Sequence, residues 1–385
     1  MTDEELLFKR NTARGQKRYS IRNGGIYYHN SEFIVDGTKI KEIMGFIKNV
    51  NKKYNNTNIP IILDLGKVEF KDKLTYIILE CICHCVMTVY GKKVIILCNV
   101  QRTIWTEGIY SSVLPLLSSA KSDCFVKFTD NFMGEIYGRH YRKIVKVEDW
   151  NDKYLNCKIM EQVDWFLKNL HVDKENRDAL SEVVSELAGN VHDHVNGDCL
   201  IDIDVTLEYE KEDDIGEYYG VNLVVLNFSS KLFGEGIREK LNNGHILNER
   251  FKIVKEAYKN HQRLFSGENY VEEDFFNITA FQHKISGREK DFTNGGTGLT
   301  KLISSLQERS ETHNCYMISG KRAIFFRQEL LHYDEEKWIG FNDNNNYFDE
   351  KPSDTVLGGS YIFFPGTAYN LNFVMRKEEE NGKQV

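Results

Sequence analysis

The chain has 385 residues and a net charge of −7 at pH 7, so it carries no global basic field for recruiting nucleic acid. At that length two or three domains are expected, and a hydrophobic content of 41% supplies real cores and excludes a disordered chain. No apolar run reaches the ~20 residues of a bilayer crossing, and the charged N-terminus lacks the apolar segment of a signal peptide. The cysteines are scattered rather than arranged as a disulfide framework, which fits a reducing, cytoplasmic setting.

Residues 1–20 are charged and read as a flexible N-terminus. Ile26-Tyr27-Tyr28 opens regular structure, and a helix-period stretch follows around 41–54. Ile61-Ile62-Leu63-Asp64-Leu65 and Lys93-Val94-Ile95-Ile96-Leu97-Cys98 are short apolar runs of the buried-strand type, with a helix over 71–90 between them. A further helix is expected near 108–118, then a strand at Phe125-Val126-Lys127-Phe128. Strands alternating with helices at this spacing imply βαβ units, hence a layered α/β domain over 21–145. Cys81, Cys83, His84 and Cys85 lie in the helix over 71–90. Only Cys81 and Cys85 share a helix face, and no second cluster supplies the remaining ligands of a tetrahedral zinc site, so these thiols read as core.

This first region resembles the STAS domains of anti-sigma-factor antagonists and anion transporters. The resemblance rests on residues 61–65, on Val68-Glu69-Phe70-Lys71-Asp72, and on the long helix and strand that follow. In the antagonists a serine directly after the aspartate takes a phosphate, whereas here Lys73 follows Asp72 and Thr75 is displaced. The resemblance therefore implies an interaction domain rather than a phosphoswitch.

Trp150-Asn151-Asp152 is a polar break, and a second domain is expected over 150–376. Met160, Val163, Trp165, Phe166 and Leu170 mark one helix, and Asp173 offers an N-cap for a longer one. In that longer helix Leu180, Val183, Val184, Leu187, Val191 and Val195 fall on one stripe at ~100° per residue. Glu186, Asn190 and Asp193 share one border of the stripe, and His194 follows. Short polar groups between core and solvent suit a cation bound to phosphates, because Mg²⁺ takes hard oxygen ligands and keeps waters that a nearby carboxylate can orient.

Residues 200–205 and 221–227 read as strands, the first alternating and the second continuously apolar, with acidic 208–217 as the hairpin loop. Gly234-Glu235-Gly236 opens a helix, and Asn294-Gly295-Gly296-Thr297-Gly298-Leu299-Thr300 opens another over 301–307. Glycines at a helix N-terminus aim several N–H groups at one point, favour an anion through the dipole, and admit close backbone approach. Between these clusters, 237–293 holds two helical segments and ends in Lys284, Arg288 and Lys290, either a phosphate clamp or a solvated basic loop. Cys315–Ile318 and Ala323–Arg327 read as a hairpin around Ser319-Gly320. Residues 331–360 read as an irregular insertion, 369–375 as the closing strand, and 377–385 as a flexible tail.

Glu186-x-x-x-Asn190, Gly234-x-Gly236, Gly295-Gly296-Thr297-Gly298-Leu299 and Gly366-Thr367, in this order, resemble the boxes of the GHKL ATPases. That family holds gyrase B subunits, heat-shock-90 chaperones, histidine kinases, MutL and the anti-sigma-factor kinases. The stretch 186–194 is most similar to the anti-sigma kinases, whose N-box also carries a histidine eight residues after the glutamate. The resemblance implies a Bergerat-type α/β sandwich, a mixed sheet with helices on one face, with ATP and Mg²⁺ as ligands and 237–293 as a mobile lid. It implies that Asn190 holds Mg²⁺, that Glu186 polarises the attacking water or hydroxyl, and that Asp193 and His194 continue the nucleotide-binding edge. Gly234 and Gly236 would form one glycine box, Gly295, Gly296, Thr297, Gly298 and Leu299 would cover the phosphates, and Thr367 would sit near the adenine.

One box departs from the family. The aspartate that accepts the adenine amino hydrogens is Asn227 here, and about five residues, Phe228 to Leu232, are inserted before Gly234. An asparagine amide can accept from adenine N6 and donate to N1, but flipped it can also serve guanine. Two functions stay open: ATP hydrolysis or phosphate transfer to a protein serine or threonine, and a nucleotide-sensing switch without turnover. In both, the N-terminal domain is a regulatory module for a protein partner. A homodimer stays open, and neither a membrane nor a nucleic-acid partner is indicated. A two-component histidine kinase is disfavoured, since no separate phosphoacceptor helix pair is found.

Overall fold

The computed structural model describes residues 3–11, 19–135, 138–195, 197–209, 217–244, 249–285, 298–310 and 314–378, with the side chains of 194, 195, 207, 208 and 298 outside that description. A short helix α1 (Leu6–Arg10) leads to β1 (Tyr19–Arg22), β2 (Gly25–His29), β3 (Ile34–Val35), α2 (Gly37–Tyr54), β4 (Ile61–Phe70), α3 (Lys73–Thr88) and β5 (Val94–Val100). β4 is central: β2 and β3 pair with one of its edges and β5 with the other, all parallel, while β1 pairs antiparallel with β2. This mixed sheet is the α/β layer expected from the first third of the chain.

Two expectations there give way. Residues 107–110 and 114–118 are separate 3₁₀ turns rather than one helix, Pro115 falling inside the second. The strand expected at 125–128 is part of α4 (Ser122–Met133), whose buried Phe125, Phe128 and Phe132 recur at helical spacing. The N-terminus is also anchored where a flexible segment is expected. Leu7 and Phe8 are buried, and the Asn11 amide both donates to the Phe363 carbonyl and accepts from its N–H.

The second half begins with β6 (His140–Val145), so residues 140–145, expected in the first domain, pair with the second sheet. After it come α5 (Leu155–Asn169), α6 (Lys174–Val195), β7 (Cys199–Tyr209), β8 (Tyr218–Phe228), α7 (Glu235–Asn242), α8 (Glu249–His261), α9 (Glu272–Thr279), α10 (Gly298–Arg309), β9 (Tyr316–Phe325) and β10 (Leu357–Arg376). The sheet order is β6-β7-β8-β10-β9, and every pairing is antiparallel. A mixed sheet is the expectation here, and the connections explain the difference. Between β6 and β7 the chain makes two helices that pack antiparallel, Arg177 against Asp164 and Ser185 against Asn156. A pair of helices returns the chain to the end it left, so the next strand runs the other way. The hairpin expected at Ser319-Gly320 is instead one strand through a bulge, where Gly320 takes φ +57° and β9 pairs with β10 on both sides.

Side chains of this second sheet alternate between two cores. Ile201, Ile203, Val221, Leu223, Val225, Leu371 and Phe373 face α5, α6 and α10. Leu200, Val224, Leu226, Phe228 and Ala368 face the other way and join the core of the N-terminal half. The molecule is therefore layered sheet, helices, sheet, helices, and the two sheets expected as separate domains share a core across α2 and α3. Among the described residues no helix is long and apolar enough to cross a membrane.

α3 is buried on all sides, and its charged residues are met by the second sheet. Lys73 Nζ contacts Asp202 at 2.7 Å and also Asp204, both on β7. Arg142 on β6 bridges Asp202 and Glu80 of α3. His140 Nε2 lies 2.7 Å from Asp202 and its Nδ1 lies 2.9 Å from the Ser111 carbonyl. Burial alone would raise the Asp202 carboxyl, but Arg142, His140 and Lys73 hold it well below the usual carboxylate range. Asn222 donates to Asp204 at 2.7 Å, and Asn370 accepts from the Leu74 N–H at 3.1 Å.

Two outcomes follow from this junction. Arg142→Met leaves Glu80 and Asp202 short of a buried cation, and should lower stability by about 3–5 kcal/mol in urea unfolding, with probes in both halves reporting one transition. Because the folded Asp202 pKa is depressed, its stabilisation is present above the unfolded carboxylate value of about 3.9 and is lost as pH falls below it. The urea midpoint should therefore drop between pH 5 and pH 2.5, and by less in Asp202→Asn.

Candidate functional site

Asp173 caps α6 as the sequence predicts, its carboxylate accepting the Asn176 N–H at 3.1 Å. The predicted stripe is the buried one: Leu180, Val183, Val184, Leu187 and Val191 all lie in the core. Glu186 and Asn190 are half-buried at its border, and Asp193 is exposed in the last turn. Among the described residues, neither Glu186 nor Asn190 is committed to a hydrogen bond or ion pair. His194 belongs to α6, with its side chain outside the described residues; His192 stacks on Trp150 at 4.7 Å.

α10 runs antiparallel beside α6. Arg309 reaches Glu175 and Asn176, and Lys301 reaches Glu182. Seven positions forward along α6 thus correspond to eight back along α10. Glu186 lies one turn beyond Glu182 in the direction of the start of α10, where the first N–H groups are unpaired by the helix itself. Gly295, Gly296 and Thr297 lie outside the described residues, as do Arg288 and Lys290. Gly298 and Leu299 form the first turn of α10, and His283, which precedes Lys284, contacts Thr300 Oγ1 at 3.2 Å.

The sheet contributes a second group. Asn227 at the end of β8 pairs with Cys199 on one side and Thr367 on the other. Its position follows Val225 in phase, so its side chain shares the sheet face covered by α5, α6 and α10. Asn227 is 1% exposed, and its Nδ2 has no hydrogen-bond partner among the described residues. Gly366, with φ +103°, is needed because a Cβ there would collide with the Asn227 carbonyl.

Of the five residues expected as an insertion, Phe228 ends β8 and the other four belong to a pinned loop. Lys231 N–H donates to Ser229 Oγ, Leu232 N–H to the Glu235 carboxylate and Phe233 N–H to Ser319 Oγ. Gly234 has φ +75°, and a Cβ on it would sit 2.7 Å from the Phe276 carbonyl carbon of α9. Helix packing thus accounts for this glycine; Gly236 lies inside α7, half-buried.

The expected lid is largely core. Phe251, Val254, Phe275, Phe276 and Ile278 of α8 and α9 are buried, and residues 331–356 wall them in: His261 bonds the Tyr270 hydroxyl and the Tyr347 carbonyl, while Arg250 lies 3.8 Å over the Trp338 ring. α9 also carries polar groups that sequence reasoning passed over. Asn277 is 1% exposed with both amide atoms unpaired, and Glu273 Oε1 is buried and unpaired beside Gly320. Burial, then the neighbouring Asp274, raises the Glu273 carboxyl. The run Glu272-Glu273-Asp274 reads as the acidic first turn of a helix, which hides this.

Elsewhere, Cys81, Cys83 and Cys85 are buried in α3, and burial raises each thiol, that of Cys85 to about 12. His84 is engaged by Glu4 at 2.7 Å and stacks on Phe132. Asp72 caps α3 and holds the buried Thr75 through both its N–H and its hydroxyl.

No family model matches the chain, and no curated protein or solved structure matches it either. The functional reading therefore rests on these residues. Gly234→Ala should lower stability by about 1–3 kcal/mol, from strain at positive φ plus the clash with α9. Gly359→Ala, with no atom within 4 Å and no positive φ, should stay within about 0.5 kcal/mol in the same urea titration.

Proposed function

We propose that the chain binds ATP with Mg²⁺ between α6, the start of α10 and the end of β8, in the manner of the GHKL ATPases, and hydrolyses it or transfers its γ-phosphate to a protein serine or threonine. The observation that carries this reading is the buried, unpaired Nδ2 of Asn227. An unused buried donor costs about 1–3 kcal/mol, and adenine N1 is an acceptor that would complete it. Thr367 is its neighbour across the strand pair, where the family resemblance expects the base.

The α6 edge fits the phosphate end. Among the described residues the Asn190 amide oxygen and the Glu186 carboxylate are uncommitted, and one protein oxygen beside a carboxylate suits Mg²⁺, which prefers waters and substrate phosphates for its other ligands. Bound there, Mg²⁺ would neutralise phosphate charge. Glu186, one turn before Asn190, holds the position from which a carboxylate takes the proton of an attacking water or hydroxyl. The opening of α10, beyond the Lys301–Glu182 pair on the side of Glu186, would offer its unpaired N–H groups to the phosphates.

A sensing switch is the second reading, favoured by the neighbours of Asn227. Leu226 and Phe228 flank it on β8 and face the core of the N-terminal half. Occupancy at Asn227 is thus one residue from the partner-binding module, whether or not ATP turns over.

Asn190→Ala should weaken ATP binding in the presence of Mg²⁺, measured by calorimetry, with little change in its absence. Glu186→Ala should bind ATP as wild type does while phosphate release falls by ~10²-fold or more. A wild type that binds ATP but releases and transfers no phosphate leaves the sensing reading; one that binds no nucleotide ends both. Asn227→Asp should increase discrimination for ATP over GTP in competition binding, because a carboxylate offers guanine O6 no donor.

A further inference from the structure

The outer face of the first sheet carries three side chains from three adjacent strands in one hydrogen-bonded series. Ser20 Oγ on β1 lies 3.0 Å from Nε2 of His29 on β2. His29 Nδ1 lies 3.1 Å from Oδ2 of Asp64 on β4. The strand register builds this: His29 is paired with Asp64, and Ser20 stands opposite Tyr27, two positions back on the His29 face. α2 and α3 cover the other face of the sheet. His29 is 38% and Asp64 34% exposed, so the series is open to molecules in solution.

We propose that Ser20 is an activated nucleophile, with His29 as its general base, in a second site that takes small activated carboxylic esters through an acyl-serine. The order of contacts is what this chemistry requires. A carboxylate opposite Nδ1 keeps the proton there, which leaves the Nε2 lone pair free to accept the Ser20 hydroxyl. Asp64 is thus a positioning residue. The Tyr27 ring stacks on His29 at 5.7 Å and fixes its plane. Arg22, two residues along β1 on the Ser20 face, lies 4.6 Å over that tyrosine and sets a cation alongside the forming oxyanion. Leu97 on β5, in register with Asp64 and 42% exposed, gives the acyl group an apolar neighbour.

In the first half-reaction Ser20 Oγ bonds the ester carbonyl carbon while its proton passes to His29 Nε2. Collapse of the adduct breaks the bond to the alcohol, which leaves with that proton. Water repeats the route, releasing the acid and restoring Ser20, so no oxidant or cofactor enters. The site is separated from Asn227 and Glu186 by the α2–α3 layer and the second sheet, and it stands apart from the nucleotide reading.

The test treats the full chain with a fluorophosphonate and locates the adduct by peptide mass spectrometry, beside p-nitrophenyl acetate turnover. The adduct should lie on Ser20 and vanish in Ser20→Ala. His29→Gln should slow labelling by ~10²-fold or more. Asp64→Asn should slow it and move the midpoint of its pH profile, which a merely structural role would not do. An unlabelled wild type, an adduct on another residue, or a His29→Gln variant labelled at the wild-type rate overturns the proposal. Should Ser20→Ala fail to fold, by melting temperature, the mapped adduct on the wild type decides alone.

Discussion

The structure depends on burying α3 between two sheets. Leu74, Ile77, Leu79, Cys81, Ile82, Cys83, Cys85 and Val86 make it apolar on every side, so solvent on any face would be unfavourable. Lys73 and Glu80 go into the interior with it, and a lone buried charge costs several kcal/mol. Their partners lie in β6 and β7, so the charges of α3 are met only by the second sheet. Two cations, Lys73 and Arg142, and the His140 ring meet three carboxylates, Asp202, Asp204 and Glu80. Even here Arg142 Nη1 and Glu80 Oε1 stay unpaired. Such a cluster adds little over a well-packed apolar junction, but it penalises other alignments of one sheet on the other.

That alignment determines what surrounds the candidate nucleotide site. β8 is buried along its whole length, with one face on α5 and α6 and the other on the N-terminal half. Asn227 is the polar group at the end of its helix-facing row. The loop after it is tied to β9 through Ser319 and to α9 through Gly234, whereas among the described residues Glu186 and Asn190 on α6 have no hydrogen-bond or ion-pair partner. A rigid wall beside an uncommitted carboxylate and amide is the arrangement in which a ligand, rather than the protein, completes the polar contacts.

Much of this was legible in the residues, and the reasons for the rest are specific. The stripe of α6 and its Asp173 cap followed from spacing alone, as did the parallel strands β4 and β5. Phe125–Phe128 misled because four residues cannot separate a period of two from one of 3.6; adding Phe132 separates them. β7 is a strand as read, but alternation alone does not show that its polar face, Asp202 and Asp204, is buried against α3. The signals for that were the continuous apolar run of β8 and the all-round apolar α3, each pointing to a covered second face. Ser20, His29 and Asp64 are scattered over 45 residues with nothing between them in the sequence to tie them, and only strand register assembles them. Likewise, Asn277 looks ordinary until its burial is known.

The junction also has a consequence in time. Lys73 and Asp204 are 131 residues apart. A ribosome adding roughly 5–20 residues per second delivers Asp204 some 7–26 s after Lys73. Through that interval α3 has left the ribosome with its apolar surface and its two charges unmatched, and the first sheet can close only one side of it. The arrival of β7 is the step that covers that surface and pairs its charges.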